Sequence, residues 1–143
     1  MLCELGLVAA ILLTAADVRP AASELPFHVI VNRSNAVSSL SKAEVSAIFM
    51  RRTRSWKGGA EIVPVQPPPT AALRREFTRA IHGTTVAFVT RYWQRLIFAG
   101  RSIPPLELPD DDDVIAFVRK TPGAIGYVQR LPDDDVKTIA VTP

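Results

Sequence analysis

Cysteine is nearly missing from this sequence, and its scarcity excludes several classes of protein. Cys3 is the single cysteine in 143 residues, so the chain forms no internal disulfide and offers no cysteine-based metal site. His28 and His82 are the only histidines, far apart in sequence, and no zinc-binding histidine pair, serine nucleophile elbow or phosphate-binding glycine loop occurs. We therefore predict a protein that is not an enzyme and that carries no cofactor or metal. At the end of a predicted helix, a charged His82 would suit the helix dipole.

Charge is absent from residues 5–16, which read LGLVAAILLTAA. This run is too short to span a bilayer as a helix, but it fits the apolar region of a signal peptide. Small residues follow at 21–23, although Glu4 and the lack of an early Lys or Arg are atypical of such a leader. We predict a signal peptide over residues 1–23, one domain over residues 24–143 and periplasmic localisation, with no integral membrane segment. A buried N-terminal helix is the alternative.

Acidic residues are scarce in the first part of the domain. Residues 27–101 contain 12 Lys or Arg and three Glu, a net charge of +9, whereas residues 102–143 contain four basic and eight acidic residues, a net charge of −4. A basic body attracts anions, although such residues also form an ordinary solvated surface. We expect no nucleic-acid binding, because export argues against it and no base-reading module or aromatic single-strand motif is present.

Apolar runs alternate with amphipathic helical patterns along the domain. The runs predict strands at residues 27–31, 62–65, 125–128 and 138–141. Helix-start signals precede four periodic stretches: the capping box Ser41–Glu44, Thr70, Thr84 or Thr85, and the acidic run Asp110–Asp113. The alternation of strands and helices predicts an α/β layer structure with a mostly parallel or mixed sheet.

Two features are open to more than one interpretation. The acidic run Asp110–Asp113 fits a helix start, and a Ca²⁺ site is the alternative, although the run lacks the spaced oxygen ligands of a calcium loop. Trp56 lies in a basic loop, where it belongs either to the core or to a contact surface.

Three segments resemble the phosphate-binding proteins of ABC uptake systems and the short proteins related to them. The first runs from Leu40-Ser41 to Ile48-Phe49 and leads through a basic stretch to Trp56; the second is residues 62–65 with the helix containing Phe77; the third is TPGAIGYV at residues 121–128. Their order and spacing extend the resemblance over residues 27–141. It implies a single three-layer α/β/α lobe of the type II periplasmic-binding-protein kind, with a mixed sheet.

The resemblance also implies a function. It indicates an exported solute-binding-type domain that binds inorganic phosphate or a similar small anion and works with an envelope or ABC transporter partner. The alternative is a ligand-free protein-interaction module of the cell envelope. The chain is long enough for one lobe only, so it offers half of the family's ligand cleft. The family's phosphate segment, Arg-x-x-x-Ser-Gly-Thr-x-x-x-Phe, is not kept, because Pro67, Ala71 and Leu73 stand where its Arg, Ser and Thr would be.

Five residues remain as candidate ligand contacts: Asn32, Arg33, Ser34, Thr70 and Arg74. The helix predicted to begin near Thr70 presents free backbone amides and the positive end of its dipole, and Arg74 and Arg75 add charge in its first turns. The segment Asn32–Ser34 follows the first strand, and strand ends are where α/β proteins place ligands. The alternative is that all five serve only as caps and turns.

Overall fold

A six-stranded mixed sheet with helices on both faces makes up the part of the chain that the structure, a computed structural model, describes. That part is residues 24–143, so the predicted signal peptide lies outside it. The elements in chain order are β1 His28–Asn32, β2 Ser39–Ser41, α1 Lys42–Phe49, β3 Val63–Gln66, α2 Ala72–Phe77, a π-helical turn Thr78–His82, α3 Val86–Phe98, β4 Leu106–Glu107, α4 Asp111–Lys120, β5 Ala124–Val128 and β6 Val136–Thr142.

The strands lie in the order β2-β6-β1-β5-β3-β4. β1 runs antiparallel to both of its neighbours, β5 and β6. All the other pairs are parallel: β2 with β6, β3 with β5, and β3 with β4. The sheet is therefore mixed, as predicted, and β1 is the strand that points the opposite way from the rest.

Alternation along the strands divides the core between the two faces of the sheet. Val29 and Val31 of β1 pack with α1 and α2, whereas Ile30 packs with α4. Both clusters are buried, because a strand places successive side chains on opposite faces. Helices cover both faces, so the predicted three-layer α/β/α architecture is confirmed.

Gly126 explains why glycine occurs in the PGAIGY segment. A Cβ at this position would lie 2.8 Å from Val114 Cγ1 and 2.9 Å from Val65 Cγ2, closer than real Cβ contacts. At Gly123 a Cβ would lie 2.0 Å from the carbonyl oxygen of Glu61. These two glycines therefore let α4 and the loop before β3 approach β5 closely.

Helix caps form where polar residues precede an apolar pattern. The Ser41 hydroxyl accepts from the Glu44 amide at 3.1 Å, and the Glu44 carboxylate accepts from the Ser41 amide at 2.7 Å, which confirms the capping box. Thr85 caps α3. Asp110 caps α4 through the amide of Asp113 at 2.9 Å, which supports the helix-start interpretation of the acidic run. Within residues 24–143, no group of three His, Cys, Asp or Glu side chains is arranged to hold a metal ion.

Some short elements were not expected from the sequence. β2 and β4 have three and two residues, which is too short for an alternating pattern to indicate a strand. Pro64 lies one residue from the start of β3, a strand that has neighbours on both sides. Proline is tolerated there because β4 pairs only with Val65 and Gln66, beyond Pro64.

Trp56 belongs to the core. Its Nε1 donates to the carbonyl oxygen of Gly123 at 3.0 Å, and its ring packs, partly buried, against the cluster around α1 and α2. The basic loop is thereby fastened to the start of β5.

Candidate anion-binding site

The five candidate residues lie at opposite ends of the strands. Val31 pairs with Ile125, and Pro64 also pairs with Ile125, so Asn32 lies toward the amino ends of β3 and β5. Thr70 follows Gln66 and therefore lies beyond the carboxyl end of β3. The structure does not bring Asn32, Arg33 and Ser34 together with Thr70 and Arg74.

Asn32 uses its side chain to hold α4 against β1. It is buried, and its Nδ2 donates to the carbonyl oxygens of Val118 at 2.8 Å and Arg119 at 3.0 Å. Its Oδ1 accepts from the amide of Ser34 at 3.0 Å and from the hydroxyl at 2.7 Å. The side-chain amide thus supplies donors to two free carbonyl oxygens at the end of α4, and its oxygen closes the local turn at Ser34. The side chain of Arg33 donates to the carbonyl oxygen of Asp134.

Arg74 is buried at the other end of the sheet, with 4% of its surface exposed. Its Nη1 donates to the carbonyl oxygen of Pro67 at 2.8 Å and lies 3.6 Å from a carboxylate oxygen of Glu107. With the amide of Gln66 oriented so that its oxygen faces the guanidinium, Gln66 accepts at 3.2 and 3.1 Å from the two terminal nitrogens. Arg74 therefore links α2 to β3 and β4. A ligand would have to share its guanidinium with these three protein oxygen partners.

The amino end of α2 has no side-chain cap. Thr70 was predicted to be the N-cap, but the helix begins one residue later, so Ala71 takes that position and its methyl group accepts no hydrogen bond. The amides of the first helical turn, residues 72–74, have no intrahelical partner, as in any helix. They lie beyond the carboxyl end of β3, the edge at which open α/β sheets bind ligands.

Exposed groups surround this end of α2. Thr70 is exposed, and its carbonyl oxygen accepts from Arg75 Nη1 at 3.0 Å. This bond holds the exposed Arg75 guanidinium against the loop that precedes the helix. A backbone donor set, a hydroxyl and a cation are thus close together, an arrangement that suits an oxyanion.

His82 is neutral rather than charged, which corrects the expectation from its place at a helix end. Burial, together with the nearby charges of Arg74 and Arg52, lowers the pKa of His82 to about 4. Its Nδ1 lies 2.8 Å from the hydroxyl of Ser46, and its ring packs edge-on against Phe77. The imidazole therefore joins α1 to the π-helical turn.

A second basic region was not recognised from the sequence. Arg51, Arg54 and Arg101 line one groove, in which Arg54 donates to the hydroxyl of Ser102 at 3.3 Å. The sequence shows a basic loop at residues 51–57, but not that the chain after α3 returns to it. Only the tertiary contact between these loops reveals the groove.

Solved structures with a similar fold are substrate-binding proteins. An ABC-type phosphate transport receptor from Vibrio cholerae superposes with a TM-score of 0.63 at 16% identity over 80% of this chain. A putative phosphate ABC transporter substrate-binding protein with bound phosphate, from Clostridium perfringens, has a TM-score of 0.61 at 20% identity over 80% of this chain. A possible phosphate binding protein from Planctomyces limnophilus has a TM-score of 0.58 at 16% identity over 81% of this chain.

The described part of the chain therefore shares its fold with part of each of these proteins. The chain spans 45%, 44% and 41% of the length of these three structures, so the likeness covers less than half of each. No protein-family model matches the sequence, and no curated protein matches it. At identities of 20% and below, the likeness shows the fold and not the ligand. Among residues 24–143, none of the helices is both long and apolar enough to cross a bilayer.

Proposed function

We propose that this domain is an exported, single-lobe solute-binding domain that binds a small oxyanion, phosphate or one of similar shape, at the amino end of α2. The observation that carries the proposal is the uncapped first turn of α2 beyond the carboxyl end of β3, with Thr70 and the exposed Arg75 beside it. The likeness to phosphate-binding proteins supports it, since one of these structures is described as having phosphate bound.

The residues around this end have different roles in the proposal. The amides of residues 72–74 and the hydroxyl of Thr70 contact the anion, and Arg75 supplies an exposed charge. Arg74 raises the local potential while it holds the loop through Pro67. We assign no ligand contact to Asn32, Arg33 or Ser34, because the hydrogen bonds of Asn32 and Ser34 close the local turn.

One lobe encloses one side of a ligand. An anion at the amino end of α2 therefore keeps part of its hydration, and we expect millimolar affinity unless a second chain covers the site. We propose an ABC transporter or another envelope protein as the partner that does so.

Calorimetric titration of phosphate into the purified protein, in phosphate-free buffer, tests the site. Thr70→Glu places a carboxylate next to the proposed anion and is expected to weaken binding at least tenfold by charge repulsion. Thr121→Glu is the matched control, because Thr121 directly follows the carboxyl end of α4, close to Asn32, and receives the same charge.

The two variants also separate the two ends of the sheet. Loss of binding in Thr121→Glu with full binding in Thr70→Glu would place the anion near Asn32 and contradict the assignment. No saturable heat at millimolar phosphate, from protein with a cooperative melting transition, would refute oxyanion binding by the isolated lobe.

A further inference from the structure

The carboxyl end of α3 exposes large apolar side chains. Phe98 is 91% exposed, Ile103 70% and Ile97 50%. Within α3 itself, only Val89 and Trp93 are buried. We call Ile97, Phe98 and Ile103 the α3 tip. Three large apolar side chains so close together on a small domain mark an interaction surface rather than scattered exposure.

Arginine side chains lie on both sides of the α3 tip. Arg91 and Arg95 line a shallow depression together with Phe98. On the other side, Arg51, Arg54 and Arg101 line a groove of about 290 Å³ together with Ile97 and Ile103. The apolar tip therefore stands between two sets of guanidinium groups.

These guanidinium groups have spare donors. Arg51 Nη1 donates to the carbonyl oxygen of Ile62 at 3.1 Å, but its buried Nε has no acceptor within the described structure. Within the described part of the chain, Arg54 donates only to oxygens of Arg51, Arg101 and Ser102. Among residues 24–143, the ion pairs that form involve Arg74, Arg119 and Arg130 and none of the arginines beside the tip.

The surrounding sequence carries charge of one sign. Residues 45–60, from α1 through the basic loop, and residues 77–106, from the π-helical turn through α3 to β4, contain eight Lys or Arg and no Asp or Glu. A surface with this composition attracts an anionic partner and repels a second copy of itself.

We propose that the α3 tip and the arginines beside it form a docking surface for an anionic phospholipid bilayer. The three apolar side chains enter the boundary between headgroups and acyl chains, while the guanidinium groups bind lipid phosphates on both sides. A protein partner would have to offer a pocket for Phe98 and acidic groups on both of its sides. A bilayer accepts a protruding side chain at any point and presents phosphates around it.

Co-flotation with vesicles tests this surface. We expect the protein to float with vesicles of equal parts phosphatidylcholine and phosphatidylglycerol, and to stay behind with pure phosphatidylcholine. Phe98→Ser should weaken binding about tenfold or more, because the variant loses the free energy gained when the phenyl ring moves from water into the bilayer. Arg95→Gln and Arg101→Gln should each weaken it about fivefold.

Matched variants at the acidic end of the domain serve as controls. Leu131 is 67% exposed, so Leu131→Ser removes an exposed apolar side chain outside the α3 tip, and Lys120→Gln removes a comparable exposed charge. Both should float like the unchanged protein. Thr70→Glu should float equally well, so failure of this proposal and failure of the proposed oxyanion site are distinguishable.

Three results would overturn the proposal. One is no flotation with anionic vesicles, and another is equal flotation with neutral vesicles. The third is equal flotation of Phe98→Ser and the unchanged protein, because the bilayer would then contact another part of the chain. Phe98-dependent binding to an acidic protein, with no flotation, would assign the surface to a protein partner instead.

Discussion

The two faces of the sheet are packed with different kinds of apolar side chain. The face under α1 and α2 is aromatic: Phe77 stacks on Tyr127 with ring centroids 3.7 Å apart, and Phe27 and Phe49 pack around them. The face under α4 is aliphatic, and its valines press directly against Gly126. The proposed site belongs to the aromatic face, since α2 lies there.

The two faces also differ in whether their buried polar side-chain atoms have hydrogen-bond partners. On the aliphatic face, the Asn32 side chain uses both its donors and its acceptor. On the aromatic face, the hydroxyl of Tyr127 and one carboxylate oxygen of Glu76 are buried without a hydrogen-bond partner among residues 24–143, and His82 is neutral. Local inconsistencies of this kind gather at functional sites in natural proteins. The α4 face therefore satisfies its buried polar side chain, whereas the α2 face leaves buried polar atoms unsatisfied at a cost in stability.

Acid should destabilise the aromatic face first. The pKa of His82 is about 4 in the folded protein and 6.5 without burial, so the unfolded chain binds a proton more readily. Stability is therefore complete above pH 6.5 and falls as the pH drops toward 4, by about 3 kcal/mol in all. Urea unfolding across this pH range measures the slope, and in His82→Asn the slope should flatten. An unchanged slope in that variant would assign the acid sensitivity to other groups.

Removal of the Asn32 side chain should loosen the aliphatic face. Asn32→Ala leaves the carbonyl oxygens of Val118 and Arg119 without their donor, and we expect a loss of about 2 to 3 kcal/mol. Chemical denaturation measures the loss. Ser34→Ala, which removes a single hydroxyl from the same turn, is the control and should cost less than about 1 kcal/mol. A small effect of Asn32→Ala would mean that α4 is held by packing alone.

Close packing of α4 makes Gly126 sensitive to a single methyl group. Gly126→Ala would press its Cβ against Val114 and Val65 and should cost about 2 kcal/mol. Gly58→Ala is the matched control, because a Cβ there meets nothing within 4 Å. Thermal melting distinguishes them. Equal melting temperatures would show that α4 moves aside without cost.

The smallest effect should have the opposite sign. Burial raises the pKa of Tyr127 far above its usual value, and its hydroxyl has no partner in the described structure. Tyr127→Phe keeps the stack on Phe77 and removes the unsatisfied group, so we expect a gain of about 1 kcal/mol. Tyr92→Phe is the control, because the Tyr92 hydroxyl donates to the carbonyl oxygen of Met50 at 3.0 Å and its loss should destabilise. Loss of stability in Tyr127→Phe would reveal a hidden partner.

Local signals in the sequence were enough to predict most of the elements. β1 and β5 are short β-branched or apolar runs, and the capping residues Ser41, Thr85 and Asp110 all cap helices in the structure. Their order predicted an α/β layer structure with a mixed sheet, whereas the three layers were implied by the resemblance to phosphate-binding proteins. β2 could not be predicted, since Ser39–Ser41 forms a strand only because its backbone pairs in parallel with β6, a contact distant in sequence.

The candidate site was harder to predict, because it depends on which way β1 runs. Had β1 been parallel to β3, Asn32 and Thr70 would have met at one edge of the sheet. The antiparallel register with β5 separates them, and no local pattern in residues 27–35 encodes that direction. The cap at α2 depends on a shift of one residue, from Thr70 to Ala71, which lies within the usual uncertainty of helix ends.

The central position of β1 also governs how the domain folds. Val29 pairs with Ile139, and His28 pairs with Val128, so the first strand finds both of its neighbours only in the last part of the chain. Such distant pairings close large loops and slow folding. During synthesis, both edges of β1 remain unpaired until the ribosome has synthesised β5 and β6. A chain shortened before β5 would leave this apolar strand open to self-association.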